Sequence, residues 1–320
     1  GWCAGRPADH GVENETEVAK LQLAAYPGTT GVREFRTGMP STAWWSQQTL
    51  GALANHAVRP RQFDVALSWT TVNGAPLRAT LEAAPSWVDR IILLGVHEMH
   101  NPSKGYTPDK FAADMRWVRA EIPERLRSRV IVAPCFIYYR SRISAPSETA
   151  AYLTPLMDER LIDAVTWDIY PSNPADVGNP GGATNPPEYE PAASLLQHAR
   201  DWMDETGLPY GIMEFNYGRR ANDPDGRKRA ALYGDVFRLA RADGAISLLD
   251  FHYSGGDMLA RGEVPEMDQW AALCRESEAA RLAYEVGYSD AQLASAGSYE
   301  NGRRDAYADV ALYAQTKING

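Results

Sequence analysis

Cysteine is scarce. Cys3, Cys135 and Cys274 are the only three in 320 residues, and they stand far apart with no CxxC pairing. That excludes a disulfide scaffold and a zinc-finger site, and each reads as a small buried hydrophobe. Positive charge is also short, with 32 Lys and Arg against 41 Asp and Glu and a net charge of −9. The clustered basic surface that nucleic acid or an anionic membrane requires is missing, so neither is expected as a partner. No apolar run approaches the roughly 20 residues that cross a bilayer. Nor does a GxGxxG or GxxxxGK(S/T) follow any apolar run, so nothing marks a nucleotide phosphate site.

What is present is a regular alternation. Hydrophobic content of 44% and charged content of 23% are those of a globular protein. Short β-branched runs predict strands at 1–5, 31–37, 63–69, 90–98, 129–136, 163–170, 210–217 and 245–253. Helical spacing fills the gaps at 14–26, 44–57, 77–88, 106–122, 147–161, 191–206, 227–242 and 265–284. Eight strand–helix alternations predict an α/β fold, a (β/α)8 TIM barrel. Residues 1–284 then form the barrel, and 285–320 an appendage or a linker toward further domains. The Pro-, Gly- and Asn-rich stretch 171–191 is too long for a mere connection and reads as a functional loop.

A barrel carries its site at the C-terminal ends of its strands. Those ends here offer Arg36, Trp69, Glu98, His100, Tyr138, Asp168, Tyr170, Glu214, Asn216, His252 and Tyr253, with hardly an aliphatic among them. The fourth strand runs into His97-Glu98-Met99-His100-Asn101, a polar cluster that no strand end requires for folding. The seventh, Tyr210-Gly-Ile-Met-Glu214-Phe-Asn-Tyr217, likewise carries one carboxylate near its end. Retaining glycoside cleavage needs such a pair. One carboxyl protonates the leaving oxygen and the other attacks the anomeric carbon. Period-two alternation places Leu94, Val96 and Glu98 on one face, and Ile212 and Glu214 on one face, so both acids are expected to point inward. The competing reading is two solvated acids at strand ends.

With these residues in view, the sequence resembles clan A of the retaining barrel glycosidases, in which strands four and seven carry the acid/base and the nucleophile. Within the clan, His97-Glu98-Met99 is similar to glycoside hydrolase family 26, the β-mannanase and endo-glycanase family, whose strand-four motif reads roughly R-P-x-H-E-M-N. Tyr106-Thr-Pro-Asp-Lys-Phe and Met115-Arg-Trp-Val resemble its next helix, and Met213-Glu214-Phe215 its nucleophile strand. Trp167-Asp-Ile-Tyr170-Pro171 resembles the clan strand whose tyrosine touches the nucleophile. Leu94 stands where the family has Arg and His100 where it has Asn, and Pro102-Ser-Lys-Gly-Tyr106 replaces a tryptophan-rich run. These departures leave β-mannan itself open as substrate.

The resemblance implies an endo-acting retaining hydrolase of a polysaccharide, with Glu98 as acid/base and Glu214 as nucleophile. It implies no cofactor. A secreted protein is expected, with a leader already removed because the chain starts at Gly1 without Met. Substrate contacts are expected from His97, Trp69, Arg36, His100, Asn101, Asp168, Tyr170, Asn216, His252 and Tyr253. Arg36 is the expected cation beside Glu214, with Arg33 on the other face competing for that role. Trp69 is expected exposed at the base of an open cleft, as a platform for a sugar ring, and Tyr189 on its wall.

Two other readings stand. One is a carbohydrate-binding barrel without hydrolysis. The other is a metal-dependent hydrolase, against which no metal is expected. His97-Glu98-x-His100 is not HExxH on a helix, the two histidines diverge on a strand, and Trp2-Cys3-Ala4 replaces the paired histidines of barrel metallohydrolases.

Overall fold

The structure is a computed structural model that describes residues 2–3, 12–55, 63–70, 77–144, 146–170, 188–220, 222–251 and 262–285. Its strands are β1 (Trp2–Cys3), β2 (Gly31–Arg36), β3 (Phe63–Trp69), β4 (Val88–Val96), β5 (Val130–Val132), β6 (Cys135–Ile137), β7 (Val165–Ile169), β8 (Tyr210–Phe215) and β9 (Leu248–Phe251). They form one parallel sheet in the order β5-β4-β3-β2-β1-β9-β8-β7-β6. The two ends of that order are halves of one segment, parted by Ala133-Pro134.

Ala133 N–H donates to Leu93 O at 2.9 Å on one side. On the other, Asp163 N–H donates to Val132 O at 2.8 Å and Thr166 N–H to Pro134 O at 2.9 Å. The ring therefore closes through the fifth strand, which Pro134 splits because it has no N–H to give the ladder. The fold is a (β/α)8 TIM barrel, with β5 and β6 together filling one of its eight strand positions.

Helices α1 (Glu15–Ala25), α2 (Gln48–Asn55), α3 (Leu77–Glu82), α4 (Pro108–Glu121), α5 (Pro146–Asp158), α6 (Ala192–Thr206), α7 (Arg227–Ala242) and α8 (Val264–Glu285) wrap the ring. Local chemistry sets their ends. The Thr107 hydroxyl caps α4 by accepting from Lys110 N at 3.3 Å, with Pro108 and Asp109 in the first turn. Gly207, at φ 69°, closes α6.

Two helices differ from expectation. The stretch 44–57 divides into a 3-10 turn at Thr42–Ser46 and the α-helix from Gln48. α3 stops at Glu82, short of 88, because Pro85 disfavours helix at the residue before it and the chain enters β4 at Val88. The long loop, apart from residues 188–191, and residues 286–320 of the expected appendage lie outside the described residues.

Side chains pack in two layers. Between strands and helices lie Val65, Leu67, Trp69, Phe111, Met115, Trp167, Leu196, Tyr233 and Trp270 among others. Inside the ring a separate cluster of smaller residues, Ala66, Ile92, Leu94, Ala133, Cys135, Ala164, Met213 and Leu249, fills the lower barrel. Above it the interior turns polar.

Several register shifts break the period of two, and two of them shape the site. Leu67 pairs with Leu93 but Ser68 with Gly95, so Leu94 is an extra residue on β4. Trp167 pairs with Ile212 but Asp168 with Glu214, so Met213 is extra on β8. The expected alternation fails at both places. Leu94 lies inside the barrel and Val96 outside it, while Ile212 lies outside and Met213 inside.

Candidate active site

β2 builds the centre of the site. Val32 belongs to the outer layer, so Arg33 and Phe35 face the barrel axis while Glu34 and Arg36 face α2. Arg33 is 2% exposed. Its Nη1 donates to Asp168 Oδ1 at 2.9 Å and pairs with Glu214 Oε1 at 2.8 Å. Its Nη2 donates to Ser68 Oγ at 3.1 Å and to His97 Nδ1 at 2.7 Å. One guanidinium thus ties together side chains from β2, β3, the end of β4, β7 and β8. Below it the Cys135 thiol donates to Asp168 Oδ1 at 3.1 Å, and burial with the charge of Asp168 pushes that thiol well up, so it stays protonated.

Glu214 reaches the axis because the bulge at Met213 sets two successive residues inward. Tyr170, just past β7, donates its hydroxyl to Glu214 Oε2. Both carboxylate oxygens therefore face positioned donors, one from Arg33 and one from Tyr170, and the side chain is nearly buried, 9% exposed. A carboxylate fixed at both oxygens is aimed rather than mobile.

Glu98 arrives by another route. After the Gly95 bulge, at φ 74°, His97 faces the axis, and Glu98 then takes a left-handed conformation, φ 49°. For a non-glycine residue that conformation is costly, of order 1–3 kcal/mol, and concentrates at functional sites. The Glu98 carboxylate stands 3.9 Å from His97 Nε2, with 22% of its side chain exposed. Because His97 Nδ1 accepts from Arg33, its proton sits on Nε2, the nitrogen facing Glu98.

Burial and charge tune these groups. Burial, then the charge of Glu214, raises the pKa of Glu98, while the Asn101 amide favours its ionised form. Burial, with Arg33 beside it, lowers His97 to about 2, so the imidazole is neutral. Burial and Glu214 also push Asp168 well up, against the pull of Arg33. Three carboxyls surround one permanent cation, and Glu98 is the one most open to solvent.

His97, Glu98 and Asp168 each bring a ligand atom within 4.8 Å of the others, which invites a metal. Arg33 already holds His97 Nδ1 and Asp168 Oδ1, and its permanent charge beside the cluster disfavours a second cation there.

Several expected contacts require correction. Trp69 is 0% exposed, because Ser68 takes the inward position on β3 and leaves Trp69 in the strand–helix layer. It offers no sugar a surface. Arg36 faces away, pairing with Glu34 at 2.7 Å and lying 4.8 Å from the Trp44 ring, and Arg33 takes its place beside Glu214. His100 is buried against Phe136 and Tyr152, where its Nε2 accepts from Ile137 N, and burial lowers it to about 4. Asn216 is buried and accepts from Arg229 at 3.2 Å. Asp168 is fully buried beneath Arg33, supporting the site without reaching a substrate. His97, Asn101, Tyr170, Glu98 and Glu214 do converge. His252 and Tyr253 lie outside the described residues.

The exposed aromatic at the mouth is Phe35, not Trp69. It is 48% exposed, and its ring meets His97 edge-on with centroids 4.9 Å apart. The signal was readable in sequence. Val32 must face the helices, which forces Arg33 and Phe35 inward and Arg36 outward.

No protein-family model and no curated protein sequence matches the chain. Among solved structures it is similar to the endo-1,4-β-mannanase of Rhizomucor miehei, at 10% identity over 84% of this chain and 94% of that one, TM-score 0.45. It is similar to a β-glucosidase mutant derived from a hyperthermophilic tetrameric structure, at 10% identity over 82% and 83%, TM-score 0.48. A family 51 α-L-arabinofuranosidase from Bifidobacterium longum matches at 12% identity over 86% and 72%, TM-score 0.43. The barrel assignment rests on the strand pairing, and the chemistry on the side chains at its mouth.

Proposed function

We propose that this protein is a retaining glycoside hydrolase of a polysaccharide, secreted, with Glu214 as nucleophile and Glu98 as acid/base. The carrying observation is that two carboxyls at one barrel mouth sit in contrasting surroundings. Glu214 is held by donors at both oxygens. Glu98 is raised by burial and by Glu214, and remains open to solvent. An acid raised by its surroundings, beside a carboxylate held by fixed donors, gives the two groups separate acid and nucleophile roles.

In the first step a Glu214 oxygen attacks the anomeric carbon as the glycosidic C–O bond breaks. The Glu98 proton passes to the departing oxygen, leaving a glycosyl ester on Glu214. In the second, Glu98, now ionised, takes a proton from water as the water oxygen attacks the same carbon and frees Glu214. Arg33 and Tyr170 hold the nucleophile on line, and His97 presents Nε2–H beside the acid.

A panel of mannans, glucans, xylans, galactans and bacterial wall polysaccharides, read by reducing ends, identifies the sugar. Glu214→Ala is expected to abolish turnover on every substrate. Glu98→Ala is expected to keep activity on aryl glycosides with good leaving groups, and azide to rescue it with formation of a glycosyl azide. Equal and unrescued loss in both variants overturns the assignment. Binding by the wild type without hydrolysis of any panel member would instead favour a carbohydrate-binding barrel, and loss of turnover in chelator a metal-dependent hydrolase.

A further inference from the structure

Away from the catalytic pair, the rim of the same barrel end contains a buried cation that forms no ion pair among the described residues. Arg220 follows β8 and is 5% exposed, yet its Nε and Nη1 donate to nothing. The ring of Tyr189 lies 5.7 Å from its guanidinium carbon. An uncompensated buried charge is strongly destabilising, so a position that keeps one calls for an anion from elsewhere.

The surroundings are built for that anion. Tyr189 ends the loop after β7, and its hydroxyl accepts from the Arg220 backbone N–H at 3.1 Å, which pins the arginine's loop. The next ring over, Tyr217, lies 6.4 Å from Tyr189 and is 1% exposed, with a hydroxyl that has no partner. Arg142, after β6, pairs with Glu190 at 2.6 Å through one nitrogen and leaves its buried Nη1 unbonded. Arg220, Arg142 and Glu190 all lie close enough to Tyr217 to act on its ionisation.

Glu190 is matched by Arg142, and buried Asp223, which accepts from the Tyr189 hydroxyl at 3.0 Å and from the Lys228 and Arg229 N–H groups at 3.0 and 2.8 Å, forms no ion pair with Arg220. Unused donors remain on Arg220, Arg142 and Tyr217. They come from the loops after β6 and β8, on either side of the loop that ends at Tyr189, at the end of the barrel that carries Glu98 and Glu214, and Tyr217 is three residues beyond Glu214. A planar guanidinium is suited to two oxygens of one oxyanion.

We propose that these residues form an oxyanion subsite, which receives a carboxylate or sulfate group borne by the substrate glycan. The choice of a glycan as the bearer rests on the glycosidase reading above, whereas the affinity for an oxyanion does not.

The experiment has two independent arms. In the first, thermal unfolding is followed in anion-poor buffer and with increasing sodium sulfate at constant ionic strength, for wild type, Arg220→Met and Arg142→Met. Sulfate is expected to raise the wild-type Tm by several degrees and to have no such effect on Arg220→Met. In anion-poor buffer Arg220→Met is expected to be at least as stable as wild type, since it removes an unpaired buried charge. No sulfate-dependent rise in wild type, or an equal rise in Arg220→Met, overturns the subsite, the latter showing an adventitious ion only.

In the second arm, kcat/KM is measured on matched oligosaccharides that are neutral, uronate-bearing or sulfate-bearing. The acidic-to-neutral ratio is expected to fall at least tenfold in Arg220→Met, and the larger fall identifies which acid is read. A ratio that does not move overturns the glycan as bearer. If wild type hydrolyses none of the three but still binds sulfate, the glycosidase reading fails and the oxyanion site stands.

Discussion

Burial moves His97 and Glu98 in opposite directions on the pH scale and drives both toward their neutral forms. For an acid catalyst the consequence has a definite sign. With Glu98 as the proposed proton donor, kcat/KM is expected to hold below its raised pKa and to fall as pH climbs through it. Glu214 contributes to that rise, second to burial. In Glu214→Gln the Glu98 titration, followed by carbon NMR, is therefore expected to move to lower pH while staying above the ordinary carboxylate value. An unmoved titration would mean that the Glu214 charge does not reach it. Phe35 and Trp69 provide a second contrast between neighbouring aromatics. Phe35→Ala is expected to raise KM on long oligosaccharides roughly tenfold, the loss of about 1–1.5 kcal/mol of ring contact, with stability nearly unchanged. Trp69→Ala empties a fully buried position and is expected to cost about 3–5 kcal/mol in urea unfolding. The opposite pattern would place the sugar platform on the wrong strand.

At the scale of the element, β4 works because it is irregular. Its extra residue at Leu94, and the left-handed Gly95 after it, turn the strand so that His97 and then Glu98 enter the site. A Cβ on Gly95 would lie 3.3 Å from Met115 Sδ and 3.7 Å from Phe111, in a conformation that side chains rarely adopt. Gly95→Ala is expected to lose about 1–3 kcal/mol of stability, and kcat with it, because His97 and Glu98 follow within three residues. A stability loss with kcat intact would show that the bulge supports the fold without aiming the acid.

The whole molecule must also hold its catalytic-end loops in place, and a buried charge network does so on one side. Arg229 of α7 donates to Glu263 at 2.5 Å, just before α8, and to Asn216 at 3.2 Å, just after β8. Arg219 adds bonds of 2.7 and 2.8 Å to Glu266. Breaking such a network is costlier than replacing it whole. Arg229→Met is expected to destabilise by about 3–5 kcal/mol, and adding Glu263→Gln and Glu266→Gln to recover much of that loss in chemical unfolding. No recovery would mean that shape, not charge, sets the cost.

The sequence by itself determined the barrel and where its site must be. Strand–helix alternation is a local property of hydrophobic period, and the ends of eight strands at one mouth follow from topology alone. It also singled out Glu98 and Glu214, because a carboxylate at the end of an apolar run stands out in one dimension. The direction in which each side chain points was legible only where the period of two holds. On β7 it does, with Trp167 outside and Asp168 inside, and on β2 it would have sent Arg33 and Phe35 inward. On β4 and β8 an extra residue just before the site reverses the parity, and such a bulge is defined by the partner strand's register. Tertiary pairing therefore decided that Glu98 arrives through a left-handed turn and that Met213 and Glu214 both face inward, whereas the period of two on β3, in step with Val65 and Leu67, already puts Trp69 in the outer layer. It also decided that Arg33 is the cation joining the site, since a guanidinium's partners come from strands up to 181 residues away along the chain (214 − 33).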